Sequence, residues 1–489
     1  MYNDDKLQEK CAVFGTYGVS SEAARITFYA LWSMQHRGQE SSGIATSDGR
    51  KLYRHADFGL VSNVYKEENL QDLHGHIAIG HNRYSTSGGH KDFIYNQPMM
   101  GNHNGFAFAH NGNLPTTDKL EKFLRGHNVP TDELNDSGMM AAAIEINVRS
   151  GMSLAAAIKK AYPLFEGVFS CVAMDRESLV AFKDEYGIRP LSIGKLGPGY
   201  VAASETCAFE TIGAEFIRAV KPGEVALIDE RGINSTQLKK PNQKMDIFEF
   251  VYFARPDSML MGKSVNTVRE NFGRQLAKEN KLDIDVIVPV PDSSVPAAIG
   301  YSKESGVPLK MGLVKNRYIN RTFIRPTAEL RKRDVMMKLN PVPDSLKGRK
   351  IGLIDDSIVR GTTMQQVVKM LRTAGAKEVH LLISSPPVKY PDFYGINTPD
   401  QSDLLASKMN NAQMRRHLNA DSLNFLSYDG MIKATGHTKD KFCTSCFDGI
   451  YPAPIGKRAD TISYQDGRPV NISKNHQKTK ASQSSGAAL

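Results

Sequence analysis

Ile351-Gly-Leu-Ile-Asp-Asp-Ser-Ile-Val-Arg-Gly-Thr-Thr363 is the stretch around which the chain is organised. Branched apolar residues lead into two adjacent carboxylates, Asp355 and Asp356, then a small hydroxyl at Ser357, a short turn, and Gly361-Thr362-Thr363. Residues 364–373 follow with helical spacing, so the segment reads as a buried strand, a phosphate-sized loop and a helix N-terminus. Backbone N–H groups at such a terminus point into the loop, and the helix dipole favours an anion there. The carboxylates lie at the strand's carboxyl end, where open parallel sheets bind their ligands. A phosphate beside two carboxylates needs something to join them: a ribose with two hydroxyls to bond, or a hydrated magnesium ion. A bare acidic pair would read as nothing more than a capped strand-turn-helix.

The whole thirteen-residue run is more specific than that. It resembles the phosphoribosyl-pyrophosphate (PRPP) signature of type I phosphoribosyltransferases. The resemblance implies that Asp355 and Asp356 hold the ribose hydroxyls, while Ser357, Arg360, Gly361, Thr362 and Thr363 wrap the 5-phosphate.

With 489 residues the chain calls for two or three domains. Its 40% hydrophobic and 23% charged content are those of a globular protein outside the membrane. No run approaches the apolar length of a membrane span, and residues 1–10 are polar and mixed in charge, which argues for the cytoplasm. Five scattered cysteines do not form a disulfide framework. The formal net charge of +10 would suit nucleic acid, but much of it sits around residues 310–340 and in the tail, so nucleic acid is not the expected partner.

At the other end of the chain, Cys11-Ala-Val-Phe-Gly15 is a short apolar strand that opens with a thiol. Three polar, glycine-containing segments follow: Met34-Gln-His-Arg-Gly-Gln-Glu-Ser-Ser-Gly43, His81-Asn-Arg-Tyr-Ser-Thr86 and Ala109-His-Asn-Gly-Asn113. Polar residues massed at strand ends are costly unless they line a site. In this order the segments resemble the N-terminal-nucleophile glutamine amidotransferase domain. Joined to the PRPP signature, they resemble the glutamine phosphoribosylpyrophosphate amidotransferase family over nearly the whole chain, residues 11–452. Gly187-Ile-Arg-Pro-Leu191 and Ala203-Ser-Glu-Thr-Cys-Ala208 match that family as well.

Glutamine's amide is a poor electrophile, so a thiolate must attack it and expel ammonia. A cysteine thiol has a pKa of about 8.5 and needs a base, and an α-amino group at about 7.7–8.0 can serve. Cys11 is internal as encoded, so the resemblance implies that residues 1–10 are a propeptide whose removal exposes that amine. It further implies that Arg83 grips the glutamine α-carboxylate, that Asn111 and Gly112 form the oxyanion hole, and that Asp136 pairs with the α-ammonium. Asp136 also reads as an N-cap for a helix over 139–148. The family usually has Glu where this chain has Gly138.

Residues 221–244 turn polar, with Lys-Lys-Pro-Asn-Gln-Lys244 reading as a linker. Beyond it, residues 284–290 read as a strand, followed by Pro291-Asp-Ser-Ser294 and a helix from near Val295. By resemblance this second loop binds pyrophosphate and Mg2+, with Ser293 or Ser294 near the metal beside Asp355 and Asp356. Lys315-Asn-Arg-Tyr-Ile-Asn-Arg-Thr-Phe-Ile-Arg325 resembles the family's flexible catalytic lid, which shields the reaction from water. Lys315, Arg317, Arg321, Arg331, Lys332, Arg333 and Lys338 would then face the pyrophosphate.

Some relatives hold a [4Fe–4S] cluster on four cysteines. Here only Cys443 and Cys446 match, with Asp246 and Asp392 in the other two places, and such clusters want thiolates. The expectation is no cluster, with zinc shared between the cysteines and aspartates as the lesser alternative.

The expected architecture is an αββα sandwich over 11–240, a doubly wound α/β phosphoribosyltransferase domain over 241–460, and a disordered tail over 461–489, after the 1–10 propeptide. The expected reaction takes ammonia from glutamine and displaces pyrophosphate from PRPP to give 5-phosphoribosylamine, the first committed step of purine synthesis. Purine nucleotides are the expected inhibitors and a homotetramer the expected assembly. Two competing readings share parts of these motifs. An amidotransferase acting on a sugar phosphate would lack 355–363, and a PRPP-sensing regulator binding RNA through 315–325 would carry a failed nucleophile.

Overall fold

Strand Cys11–Tyr17 lies inside a seven-stranded antiparallel sheet. The order is Glu215–Ala219, Ser192–Leu196, Gly199–Ala203, Cys11–Tyr17, Ile77–Arg83, Ser41–Ser47, Leu52–Phe58. The computed structural model describes residues 8–9, 11–19, 22–84, 96–101, 105–316, 339–397 and 400–463. A second sheet of six strands runs Gly232–Gln237, Glu224–Asp229, Leu179–Lys183, Glu166–Met174, Ala107–Thr116, Met99–Met100.

Alternation along these strands dictates the layers. Val13, Ile77 and Ile79 of one sheet pack against Ala107, Ala109, Val172 and Ala181 of the other. The opposite faces carry helices: Ala23–Ser33 and Cys207–Ile212 on the first sheet, Asp118–Gly126, Asp136–Arg149 and Leu154–Ala161 on the second. This is the expected αββα sandwich. The polar run 221–244 is a linker only in part. Glu224–Asp229 and Gly232–Gln237 are the last two strands of the second sheet, and their alternation was obscured because the outer strand faces solvent.

The second half is built on four parallel strands ordered Val286–Pro289, Lys350–Asp355, Glu378–Ile383, Ser422–Phe425. Helices Val265–Glu279, Val295–Ser305 and Tyr428–Thr435 cover one face, and Thr362–Thr373 and Asn411–His417 the other, which makes the sheet doubly wound. The two strands ending at Pro289 and Asp355 are neighbours, so their following loops share the carboxyl edge.

The first of those loops is set by a close helix crossing. A Cβ on Gly273 would lie 1.8 Å from Ala297 O, and one on Gly300 1.9 Å from Glu270 O. The helix that begins at Val295, immediately after the loop, is held against Val265–Glu279 only because both positions are glycine. Alanine is the better helix former by about 1 kcal/mol, yet overpacking here should cost about 1–3 kcal/mol. Gly273→Ala and Gly300→Ala should therefore each lower the thermal midpoint. A rise in calorimetry would show that the helices can separate freely.

Candidate active sites

Cys11 pairs with Arg83 across the first sheet, and Arg83 pairs with Ser41 on its other side. The three residues form one row at one end of the sandwich. The Gln-His-Arg-Gly-Gln-Glu segment lies flush on this row, since a Cβ on Gly38 would be 2.7 Å from the backbone carbon of Asn82 and 2.8 Å from that of Arg83. Glu40 approaches the Arg83 guanidinium at 3.9 Å.

On the second sheet, Asn111 and Gly112 lie on Ala107–Thr116, a strand packed against Cys11–Tyr17. Asn111 is fully buried, and neither its amide oxygen nor its nitrogen has a hydrogen-bond partner among the described residues. A buried amide with both ends unsatisfied is costly, and such cost is retained where a ligand supplies the partner. Gly112 has φ +154°, and a Cβ there would meet Val168 O at 2.0 Å, so only glycine fits. His110 points to the helix side, where its Nδ1 meets Ser137 Oγ at 2.9 Å. Burial lowers its pKa, as it does that of His81, which falls to about 3 with Arg83 adding to the effect.

Asp136 does not cap its helix. The cap is Asn135, whose side chain accepts from Gly138 N at 2.8 Å. Asp136 is the first helical residue and accepts instead from Leu114 N at 3.1 Å and Ser137 N at 2.8 Å, which aims it back at the Asn111 strand.

In the second half Asp355 and Asp356 are both buried at the end of their strand. Asp356 accepts from Ser357 Oγ at 2.8 Å and from Ser293 Oγ of the neighbouring loop. Ser294 is turned away: it is fully buried and its hydroxyl donates to Val290 O. The acidic pair therefore faces Ser293. Lys315 pairs with Asp292 at 2.9 Å on the rim of the same loop. Gly361, with φ +85°, precedes helix Thr362–Thr373, and Arg360 reaches Asp403 at 3.5 Å. Arg317, Arg321, Arg331, Lys332, Arg333 and Lys338 lie outside the described residues.

The four positions matching cluster ligands are brought together in one buried region. Asp246 pairs with Cys443 in register, and Asp392 and Cys446 are buried beside them. Three of the four have polar partners within the protein. Asp246 accepts from Phe248 N and approaches Arg189 at 3.4 Å, Asp392 accepts from Tyr394 N, and the Cys443 thiol faces Ser445 Oγ. Among the described residues no group of three or more His, Cys, Asp or Glu is placed to hold a metal ion. Two carboxylates do not fit an iron–sulfur cluster either.

Sequence reasoning missed what lies between the sites. Arg37 pairs with Glu205 and, at 2.6 Å, with Glu249. Arg189 pairs with Glu249 at 3.2 Å and with Asp246. All of these side chains are buried. The available signal was the presence of charged residues inside otherwise apolar motifs, Arg189 in Gly-Ile-Arg-Pro-Leu and Glu249 in Phe-Glu-Phe.

A sandwich with a thiol at the head of an inner strand, joined to a PRPP-type loop on a parallel sheet, defines a glutamine amidotransferase fused to a phosphoribosyltransferase. Residues 81–211 match the glutamine amidotransferase domain family and residues 264–385 the phosphoribosyl transferase domain family. The chain is 44% identical over 460 residues to the amidophosphoribosyltransferase of Synechocystis, covering 93% of each. It is 42% identical over 458 residues to that of Bacillus subtilis, covering 92% of this chain and 95% of the relative. The solved B. subtilis glutamine PRPP amidotransferase, complexed with ADP and GMP, superposes with a TM-score of 0.84 at 40% identity, covering 95% of this chain and all of that one. The chain belongs to the amidophosphoribosyltransferase family of purine biosynthesis. The regulator reading is not favoured, and no described helix is long and apolar enough to cross a membrane.

Asp246 gives a pH-dependent signature. Burial first, and Asp392 second, push its carboxyl up to about 8 against the pull of Arg189. The folded state therefore keeps a proton that the unfolded chain releases near its ordinary value of 3.8. Stability from this group is complete below about pH 4 and is lost as pH rises through about 8. Asp246→Asn never releases that proton, so the wild type should lose thermal stability relative to the variant between about pH 4 and about pH 8. A difference that does not change with pH would contradict the assignment.

Proposed function

We propose that Cys11, freed by removal of residues 1–10, attacks the glutamine amide with its own α-amine as base. The thioester forms as ammonia leaves, and water then releases glutamate. Arg83 holds the α-carboxylate, Asp136 the α-ammonium, and Asn111 with Gly112 N–H stabilises the oxyanion. The observation that carries the glutaminase half is the buried Asn111 amide with no partner among the described residues.

In the second half, Asp355 and Asp356 bond the ribose hydroxyls, and residues 357–363 hold the 5-phosphate at the N-terminus of helix Thr362–Thr373. The Pro291-Asp-Ser-Ser294 loop holds pyrophosphate, with Ser293 rather than Ser294 on the side of the acidic pair. Lys315 and, by sequence, Arg317, Arg321, Arg333 and Lys338 close over the leaving group. Magnesium commonly binds one or two carboxylates plus substrate phosphates. The buried Asp355–Asp356 pair beside Ser293 fits such an ion, which would neutralise charge on the departing pyrophosphate. Ammonia from the first site displaces pyrophosphate at C1 of PRPP.

We place the amidotransferase domain at 11–240 and the transferase domain at 241–460. Purine nucleotides are the proposed regulators, supported by the ADP and GMP bound to the B. subtilis relative, with a homotetramer as the assembly. Two variants separate the halves. Cys11→Ala should abolish glutamine-dependent phosphoribosylamine formation and leave the ammonia-dependent reaction intact. Asp356→Asn should lower both by about a hundredfold or more, the scale of losing a preorganised polar contact in the transition state. Glutamine-dependent synthesis by Cys11→Ala would overturn the assignment of the nucleophile.

A further inference from the structure

Residues Gln8–Glu9 form a short strand that pairs antiparallel with Ile396–Asn397, in register Gln8 to Asn397 and Glu9 to Ile396. The partner strand belongs to a segment of the second half that is fixed at several points. Tyr394 is fully buried, its hydroxyl donating to Ala453 O at 2.5 Å and accepting from Ala453 N at 3.0 Å. It packs in a cluster with Tyr390, Tyr451 and Ala453, joined by Val168 and Ile188 of the first half. Phe393 O accepts from Asn113 Nδ2 at 2.7 Å. Gly395 has φ +110°, and a Cβ there would stand 3.4 Å from the carbonyl carbon of Gly112 and 3.4 Å from Nε and Nη2 of Arg189. One segment thus lies on the oxyanion strand and, two residues later, carries the chain that runs into Cys11.

We propose that residues 393–397 are a template for maturation. The second half holds the leader as an added strand at Gln8–Glu9, immediately before the thiol's own strand. Strand addition of this kind uses main-chain hydrogen bonds, so it tolerates any leader sequence that leaves those N–H groups in place. The reaction is a hydrolysis: one water is consumed, the C–N bond breaks, Lys10 gains a carboxylate and Cys11 an α-amine. Because the template belongs to the second half, glutaminase activity emerges only in a chain whose transferase half has folded. Removal of the leader then leaves the 396–397 edge open. The proposal rests on the reading of residues 1–10 as a leader.

Substitutions in the leader test it without touching the mature enzyme. Successive N–H groups on a strand point to opposite sides, so only one of Gln8→Pro and Glu9→Pro removes a hydrogen bond to 396–397. Gln8→Ala and Glu9→Ala keep both. The full chain is followed by intact mass over time after synthesis. One proline variant should slow removal of residues 1–10 by about tenfold, the loss of one backbone hydrogen bond, while its alanine counterpart matches the wild type. Gly395→Val should also retain the leader and keep ammonia-dependent activity. Removal at the wild-type rate in both proline variants, or alanine variants as slow as proline, would overturn the template. Wild-type enzyme that is active with residues 1–10 still attached would instead remove the leader reading itself.

Discussion

Glu249 lies between two arginines of the other half of the chain, Arg37 and Arg189, and all three side chains are buried. Buried charges are tolerated only when paired, and breaking such a pair typically costs about 3–5 kcal/mol. Arg37 lies three residues before Glu40, which faces Arg83, and Arg189 lies against Gly395, which faces Gly112. The two halves are therefore joined by a buried run of ion pairs, Arg37–Glu249–Arg189–Asp246, whose first member lies close in sequence to the Arg83 row. Moving one half off the other at this junction would uncover a buried charge.

Within that frame each site rests on a small exclusion. Gly112 must lack a side chain for its N–H to be presented beside Asn111, and Gly38 must lack one for the Arg83 row to be covered. In the second half, the turn at Gly361 and the inward hydroxyl of Ser294 leave Asp355, Asp356 and Ser293 as the groups facing the loop. The region around Asp246 and Asp392 is filled by their carboxyls, the Arg189 guanidinium and two buried thiols, Cys443 and Cys446. It is a packed junction.

Much of this was legible in the sequence because its determinants are local. The Asp355 loop, the Gly112 position and the strand headed by Cys11 are each defined within a dozen consecutive residues. What was not legible depends on orientation or distance. Whether Ser293 or Ser294 turns outward, and whether Asn135 or Asp136 caps a helix, is decided by packing that adjacent letters do not encode. The Arg37–Glu249 pair joins residues more than two hundred positions apart, and the strand Gly232–Gln237 lies in a polar stretch because its side chains meet water. Glu249 heads the helical turn Glu249–Phe253 among aromatic neighbours, and nothing adjacent to it in sequence encodes the charge it carries across the junction.

The central claim is that the two sites form one coupled enzyme. It is tested most directly by measuring glutamate and pyrophosphate together from purified protein supplied with glutamine and magnesium, with and without PRPP. Coupling predicts that PRPP stimulates glutamate release and that the two products appear in equal amount. Glutamate formed at the same rate without PRPP, with no pyrophosphate when PRPP is added, would contradict it.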